Sequence, residues 1–257
     1  MKTKKEIVDD WLPRYTGTAL KDYGDYIILT NFPRYIELFA KWQKTIIKGA
    51  DKAMPSSTSG RITLINFGMG SPNAATIMDL LGAVKPKACL FLGKCGGLKK
   101  KNKLGDLILP IAAIRGEGTS DDYFPERVPA LPAFNLQKVV STTIVEHNRN
   151  YWTGTVYTTN RRVWEYDEAF KTYLRKTRAM AIDMETATIF SVGFANSIPT
   201  GAILLVSDQP MVATGIKTQA IDKLVSEKYT DEHLKIGIES LNQLISQGLT
   251  VKHLRFD

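Results

Sequence analysis

Ala181-Ile182-Asp183-Met184-Glu185-Thr186-Ala187, followed one helix and one strand later by Leu204-Leu205-Val206-Ser207-Asp208, is the part of the chain that decides its fold. In both places an apolar run ends on a carboxylate. The pattern predicts a β-α-β unit with Glu185 and Asp208 at two successive element ends. In an open α/β sheet such ends face a common crevice. A carboxylate there can clamp a polyol or protonate a leaving group. Each residue also has a plainer reading, Glu185 as a complement to a helix dipole and Asp208 as a turn aspartate.

Strand and helix signals alternate on either side of this unit. Tyr26 to Thr30 reads as a strand, and Pro33 opens a helix whose stripe is Ile36, Phe39, Ala40 and Ile47. Met54 to Gly60 reads as a loop and Arg61 to Phe67 as a strand. The turn Gly68-Met69-Gly70-Ser71-Pro72 leads into a helix over Asn73 to Val84. Ala88 to Leu92 is a continuous apolar run, as a strand covered on both faces requires, and it closes with Gly93-Lys94-Cys95-Gly96-Gly97. Leu107 to Ile114 and Trp152 to Tyr157 read as strands, with the long polar loop Arg115 to Pro132 between them. Asp167 to Lys176 reads as a helix, Ala179 to Ile182 as a strand, Glu185 to Ala195 as an amphipathic helix and Gly201 to Val206 as a strand. A last helix is expected over Asp231 to Gln247, capped by Thr230 and stopped by Gly248. No linker or composition break divides these elements. The expectation is one α/β domain over residues 1–257, with a mixed, mostly parallel central sheet flanked by helices and residues 1–25 as an N-terminal extension.

Composition narrows the function classes. The chain has 257 residues, 44% hydrophobic and 23% charged, which is ordinary for a globular protein. No apolar run is long enough to span a membrane, and the charged start Met1-Lys2-Thr3-Lys4-Lys5 leads into no secretory core. Cys89 and Cys95 lie close together near a buried strand, which suits a reducing cytoplasm. The histidines are His147, His233 and His253, with no metal-ligand spacing, so no metal is expected. No Gly-x-Ser-x-Gly elbow supports a serine hydrolase. The formal net charge of +8 fits an anionic partner. Its densest run, Lys99-Lys100-Lys101-Asn102-Lys103, is an exposed turn without interleaved aromatics, so no nucleic acid is expected.

Two glycine-rich segments, Gly68 to Pro72 and Gly93 to Gly97, bring backbone amides close to a ligand. Neither is a Walker loop or a complete dinucleotide fingerprint, and each alone could be a tight turn. Lys94 could add a point charge. Asn160-Arg161-Arg162 adds guanidinium groups suited to phosphate, and side-chain direction predicts at most one of Arg161 and Arg162 inward. Four polar strand exits in one sheet, at Gly68, Gly93, Glu185 and Asp208, raise the odds of a site.

The ordered set Gly-Met-Gly-Ser-Pro, Leu-Gly-Lys-Cys-Gly-Gly, Asp-Met-Glu-Thr-Ala and Val-Ser-Asp-Gln resembles the nucleoside phosphorylase/nucleosidase superfamily, from about Tyr26 to the C-terminal helix. Within it, Arg115 to Pro125, Tyr157 to Glu165 and Ser207 to Met211 are most similar to the branch that hydrolyses AMP to adenine and ribose 5-phosphate. The resemblance implies that Glu185 clamps the ribose hydroxyls, with Met184 and Met69 against the sugar. It implies that Asp208 protonates the purine and that Ser207 positions it. Trp164 or Tyr157 would stack on the base. Arg34, Lys94, Arg161 and Arg162 are candidates for the 5′-phosphate, with Thr119 and Ser120 as hydroxyl donors. The phosphate-binding arginine of the phosphorylases is replaced here by Phe91 and their serine by Lys94, which argues for hydrolysis. Glu37 and Glu117 are the only guesses for a group that activates water.

No cofactor is implied. The resemblance further implies a homo-oligomer, a hexamer for this branch, and a cytoplasmic enzyme of purine nucleotide metabolism. A purine nucleoside phosphorylase acting on unphosphorylated nucleosides and an inactive nucleotide-binding protein are the alternatives.

Overall fold

The computed structural model describes residues 2–248; His253 lies outside them. Eight strands form one sheet in the order β2-β3-β1-β4-β7-β6-β5-β8. The strands are β1 (Tyr26–Thr30), β2 (Ser56–Ser59), β3 (Ile62–Asn66), β4 (Ala88–Gly97), β5 (Leu107–Gly116), β6 (Tyr151–Thr159), β7 (Ala181–Asp183) and β8 (Thr200–Asp208). Parallel pairs join β1 to β3 and β4, β4 to β8, and β6 to β5 and β7. Antiparallel pairs join β2 to β3, β4 to β7 and β5 to β8. The mixed, mostly parallel sheet expected from the sequence is present.

The sheet is not fully open. Strand β4 pairs with both β7 and β8, so β4, β7, β6, β5 and β8 close into a ring. The length of β4 makes this possible. Its first half lies between β1 and β8, and a register shift after Cys95 turns Gly96 and Gly97 onto β7. Gly93 is therefore inside a strand and is no exit. It is small for packing: a Cβ there would stand 2.5 Å from the Phe91 ring.

Strand side chains alternate between two helical layers. Ile27, Leu29, Cys89, Phe91, Leu204 and Val206 face one core, with α1 (Lys4–Thr16), α3 (Ser71–Leu80) and α6 (Thr186–Ala195). Ile28, Leu90, Leu92, Ile203 and Leu205 face the other, with α2 (Pro33–Gln43), α4 (Phe134–Glu146) and α7 (Gln219–Gln247). A smaller cluster of Tyr157, Trp164, Leu174 and Ile182 sits under α5 (Glu168–Thr177).

Several element boundaries differ from the sequence reading. Residues 56–59 are an edge strand, because the hydroxyls that suggested a loop find partners: Ser56 with Thr18 at 2.7 Å and Ser57 with Thr45 at 2.8 Å. Helix α2 ends when Lys44 turns left-handed, which leaves Ile47 outside it. Helix α4 was not anticipated, although Leu136, Val139, Val140, Thr143 and Ile144 carry its period. Helix α6 is buried from Thr186 to Gly193, with Thr186, Thr188 and Ser191 among the buried residues, so it has no solvent face and is not amphipathic. Helix α7 starts at Gln219 with Thr218 as its cap, and Thr230 is a buried residue within it. The loop after β5 wraps around Arg115, whose guanidinium donates to Ser120 Oγ, Asp121 and the carbonyls of Phe124, Pro125 and Val128. Among the described residues no helix is long and apolar enough to cross a membrane.

His233 links three elements of the second core. Its Nε2 lies 3.1 Å from the Ile203 carbonyl on β8, so that nitrogen donates. Nδ1 then accepts from the Tyr35 hydroxyl on α2 at 2.7 Å. Burial pushes the imidazole down from 6.5 to about 3, so the folded chain keeps it neutral. The unfolded chain takes up that proton below its ordinary value. Stability from this residue is thus complete above that value and is lost as pH falls from 6.5 towards 3. Urea titrations across that range should show a loss approaching ~1.4 kcal/mol per pH unit from this site. A His233→Gln variant should lack that component; identical slopes in both proteins would remove His233 as its source.

Candidate active site

The C-terminal ends of β1, β4, β6, β7 and β8, with the turn after β3, surround a cleft of about 610 Å³ of empty space, part of it open solvent. Asn31 and Phe32 follow β1, Met69 belongs to the turn after β3, and Lys94 to Gly96 lie on β4. Glu185 and Asp208 both line the cleft.

Glu185 lies between β7 and α6 and is 2% exposed. It does not serve the helix end. Asp183 does, accepting from the Thr186 amide at 2.8 Å and from the Thr186 hydroxyl. The other Asp183 oxygen accepts from Thr158 Oγ1 at 2.7 Å. Glu185 is thereby left to the cleft, where Oε1 accepts the Gly70 amide at 2.8 Å and Oε2 the Met184 amide at 3.3 Å. Gly70 has φ +93°, a conformation few side chains permit. Ser71 Oγ donates to the Met184 carbonyl at 2.7 Å and ties the same two segments together. Burial, then the charge of Asp183, holds the Glu185 carboxyl well above the usual range.

Asp208 ends β8 and is 8% exposed. Burial raises its pKa, against the opposing effects of a Ser207 hydroxyl bond at 2.7 Å and the charges of Lys217 and Arg162. Burial thus biases both carboxyls of the cleft towards their protonated forms, the first, Glu185, held by backbone amides and the second, Asp208, by the Ser207 hydroxyl. The first can accept hydrogen bonds from a sugar and the second can donate a proton.

The cations form two groups. Lys94, buried on β4, donates to Ser226 at 2.7 Å, pairs with Asp222 at 3.4 Å and lies 4.5 Å from the Phe32 ring centre. Burial lowers its pKa. Lys217 joins it, 3.0 Å from Asp222. On the β6 side, Arg161 pairs with Asp167 at 3.0 Å and Arg162 with Glu165 at 3.6 Å. Both arginines line the cleft, and the Arg161 guanidinium stands 5.1 Å from the Phe170 ring centre. They follow the end of β6, where strand alternation no longer governs direction.

Met69, Met184, Ser207 and Trp164 also line the cleft. Arg34, Tyr157, Thr119 and Ser120 do not. Arg34 pairs with Asp231 at 3.1 Å on α7. The Tyr157 ring packs edge-on against Phe170 and Tyr173. Thr119 belongs to a short 3-10 turn with Ser120, whose hydroxyl is taken by Arg115 and whose amide donates to Glu117. Glu37 is exposed on α2, and Glu117 is buried against Thr188, so neither reaches the cleft. Phe91 is fully buried against Phe67, with ring centres 5.8 Å apart.

Sequence reasoning missed Asn31, Phe32, Asp183, Glu165 and Lys217 among the residues lining the cleft. Asp183, two residues before Glu185, was within reach of the same argument. Phe32 was signalled by its place before a helix-opening proline. Lys217 had no local signal. Among the described residues no group of three or more His, Cys, Asp or Glu side chains could hold a metal ion.

Residues 25–242 match the family model described as the phosphorylase superfamily. The chain belongs to the phosphorylase superfamily. It is 30% identical to the AMP nucleosidase of Escherichia coli (strain K12) over 92% of its own length, and it spans 58% of that relative. The crystal structure of AMP nucleosidase from Bacteroides thetaiotaomicron VPI-5482 is 54% identical, with a TM-score of 0.87 over 96% of this chain and 99% of that one. Uridine phosphorylase from Vibrio fischeri shares the phosphorylase fold at 20% identity, with a TM-score of 0.77 over 87% of this chain and 93% of its own.

The raised Glu185 carboxyl has a thermodynamic consequence. The unfolded chain releases this proton near 4.5, whereas the folded chain retains it to higher pH. The folded state therefore loses stability as pH rises above 4.5, until the buried carboxyl itself ionises. Glu185→Gln should raise the unfolding free energy at neutral and alkaline pH by at least ~1 kcal/mol, a stability gain traded against function. A variant less stable than the native chain at pH 8 would refute this strain.

Proposed function

We propose that this protein hydrolyses the N-glycosidic bond of AMP to adenine and ribose 5-phosphate. The observation that carries the proposal is the pairing, in one cleft, of an amide-held Glu185 with an Asp208 biased towards protonation, flanked by Lys94, Lys217, Arg161 and Arg162. The likeness to the two AMP nucleosidases supports the same substrate.

In the proposed reaction the bond between ribose C1′ and purine N9 breaks, and its electron pair moves into the purine. Asp208 gives its proton to N7, so that adenine leaves neutral. General acid assistance of this kind contributes ~10²–10⁴-fold. Water adds to C1′ and releases its proton to solvent. Glu185 accepts hydrogen bonds from the ribose hydroxyls and, ionised against these donors, stabilises the cationic sugar. Met184 and Met69 pack on the sugar, Trp164 stacks on the base and Ser207 orients Asp208. The cations of the cleft hold the 5′-phosphate. Arg34 and Ser120 drop out of that role because Asp231 and Arg115 engage them, and Thr119 because it does not line the cleft. Tyr157 drops out as a stacking partner. Hydrolysis is favoured over phosphorolysis because Phe91 puts a packed aromatic ring where the resemblance expects the phosphate-binding arginine of a phosphorylase. The same reading takes residues 1–257 as one catalytic domain with residues 1–25 as an extension, acting as a cytoplasmic homo-oligomer, a hexamer.

Incubation with AMP or adenosine, each with and without inorganic phosphate, tests the proposal. Ribose 5-phosphate released from AMP without added phosphate is the expected product. Ribose 1-phosphate formed only from adenosine and phosphate would sink the assignment. Asp208→Asn should cut turnover by ~10²-fold or more while AMP still binds. Activity should fall as pH rises through the Asp208 pKa. Ser207→Ala removes a bond that favours the ionised form, so it should move this alkaline limb upward.

A further inference from the structure

The cation corner of the cleft contains an anion of its own. Lys94 Nζ stands 3.4 Å and Lys217 Nζ 3.0 Å from the same oxygen, Oδ1 of Asp222. Asp222 lies in the first turn of α7, and Ser226, one turn further on, accepts from Lys94 at 2.7 Å. Lys94 and Lys217 line the cleft, whereas Asp222 and Ser226 do not. Phe32 closes another side, with its ring centre 4.5 Å from one ammonium and 5.9 Å from the other. Arg34 is engaged by Asp231.

We propose that Asp222 is a specificity-determining counter-ion: from behind Lys94 and Lys217 it cancels one of their two charges and limits how tightly this corner holds a phosphate group. This rests on the reading of the cleft as a nucleotide site and concerns only its anion-binding corner.

The physical argument concerns a group that does not react. A phosphate monoester carries between one and two negative charges near neutral pH. Substrate and product would both carry it. Binding energy common to both holds the product as firmly as the substrate and adds nothing to the chemical step. Two uncompensated ammoniums at a desolvated position would supply much of that energy, because charges interact strongly where water is excluded. Asp222 is ionised in this setting: burial pulls its carboxyl upward, but the bonds and charges of Lys217 and Lys94 outweigh burial and hold it below its ordinary value. It also opposes the burial that lowers the Lys94 pKa. The corner thus keeps a net single positive charge, enough to favour a nucleotide over a nucleoside without trapping the released sugar phosphate.

Calorimetric titration of the native protein, Asp222→Asn and Asp222→Glu with inorganic phosphate and with ribose 5-phosphate, at one fixed ionic strength, tests this. Asp222→Asn should bind both about tenfold more tightly, the scale of removing one nearby like charge. Asp222→Glu should stay within about twofold of the native protein if the charge is what matters. The gain should vanish in the double variant Asp222→Asn with Lys217→Gln. Phosphate binding that is unchanged or weaker in Asp222→Asn overturns the proposal, as does tightening that survives loss of Lys217 or an absence of phosphate binding in every protein. These titrations need no turnover, so they decide the counter-ion role even if AMP is not cleaved.

Discussion

Asp183 and Glu185 stand two residues apart, both buried, and each must be supplied with hydrogen-bond donors or surrender its charge. Much of the local architecture follows from meeting that demand. Thr158 on β6 and Thr186 at the start of α6 serve Asp183, which fixes β7 against β6 and sets where the helix begins. The donors for Glu185 come from Gly70 and Met184, so the turn after β3 must reach across to the end of β7. That reach needs a left-handed residue at position 70 and a tight entry into α3. The division of labour leaves one carboxylate fully engaged in structure and the other with acceptor capacity facing the cleft. A carboxylate holding the helix end could not also clamp a ligand.

Closure of the sheet brings the second carboxylate to the same place. Had β4 continued straight, β8 and β7 could not both pair with it. The register shift after Cys95 and the small residues Gly96 and Gly97 let the strand change partners. A Cβ at Gly96 would stand 2.8 Å from Pro210, so the exit of β8 packs directly on this bend. Asp208 therefore ends its strand beside the bend while Glu185 begins its helix across it. The closed half-sheet also excludes water from behind, and this desolvation is the main cause of the raised pKa of both residues.

Apolar runs that end in a carboxylate were legible in the sequence because both features are local. The strands of the two cores, and the sites of Glu185 and Asp208, followed from them. Ring closure was not legible, because it depends on which strands pair and not on what any strand contains. The sequence reading started the last helix at Asp231, although Ile221, Val225 and Tyr229 before it already carry the helical period of a face that packs on β4 and β8. Losing that segment meant losing Asp222 and Ser226, and the environment of Lys94 with them. Arg34, Thr119 and Ser120 were plausible by residue type. Asp231, Arg115 and Glu117 claimed the groups of Arg34 and Ser120 first, and such partnerships lie between segments far apart or folded back on themselves.

The exchange of cation and aromatic along β4 shows how strand periodicity can decide chemistry. Phe91 and Lys94 are three residues apart, so they fall on opposite faces of the strand. Phe91 joins the core beneath α3 and α6, where Phe67 and the neighbouring aliphatic side chains offer no counter-ion. A charge there would have to be answered by the ligand alone. Lys94 instead faces the side of Leu90 and Leu92, against α7, which approaches so closely that a Cβ on Gly237 would stand 2.6 Å from Leu92. Only that layer could supply Asp222 and Ser226. A positive charge on this face can be kept inside the protein before any ligand arrives, at a strength the helix sets. Moving the cation by an odd number of residues therefore changes which helical layer controls the anion, and with it whether the site must borrow its charge balance from the substrate or carries its own.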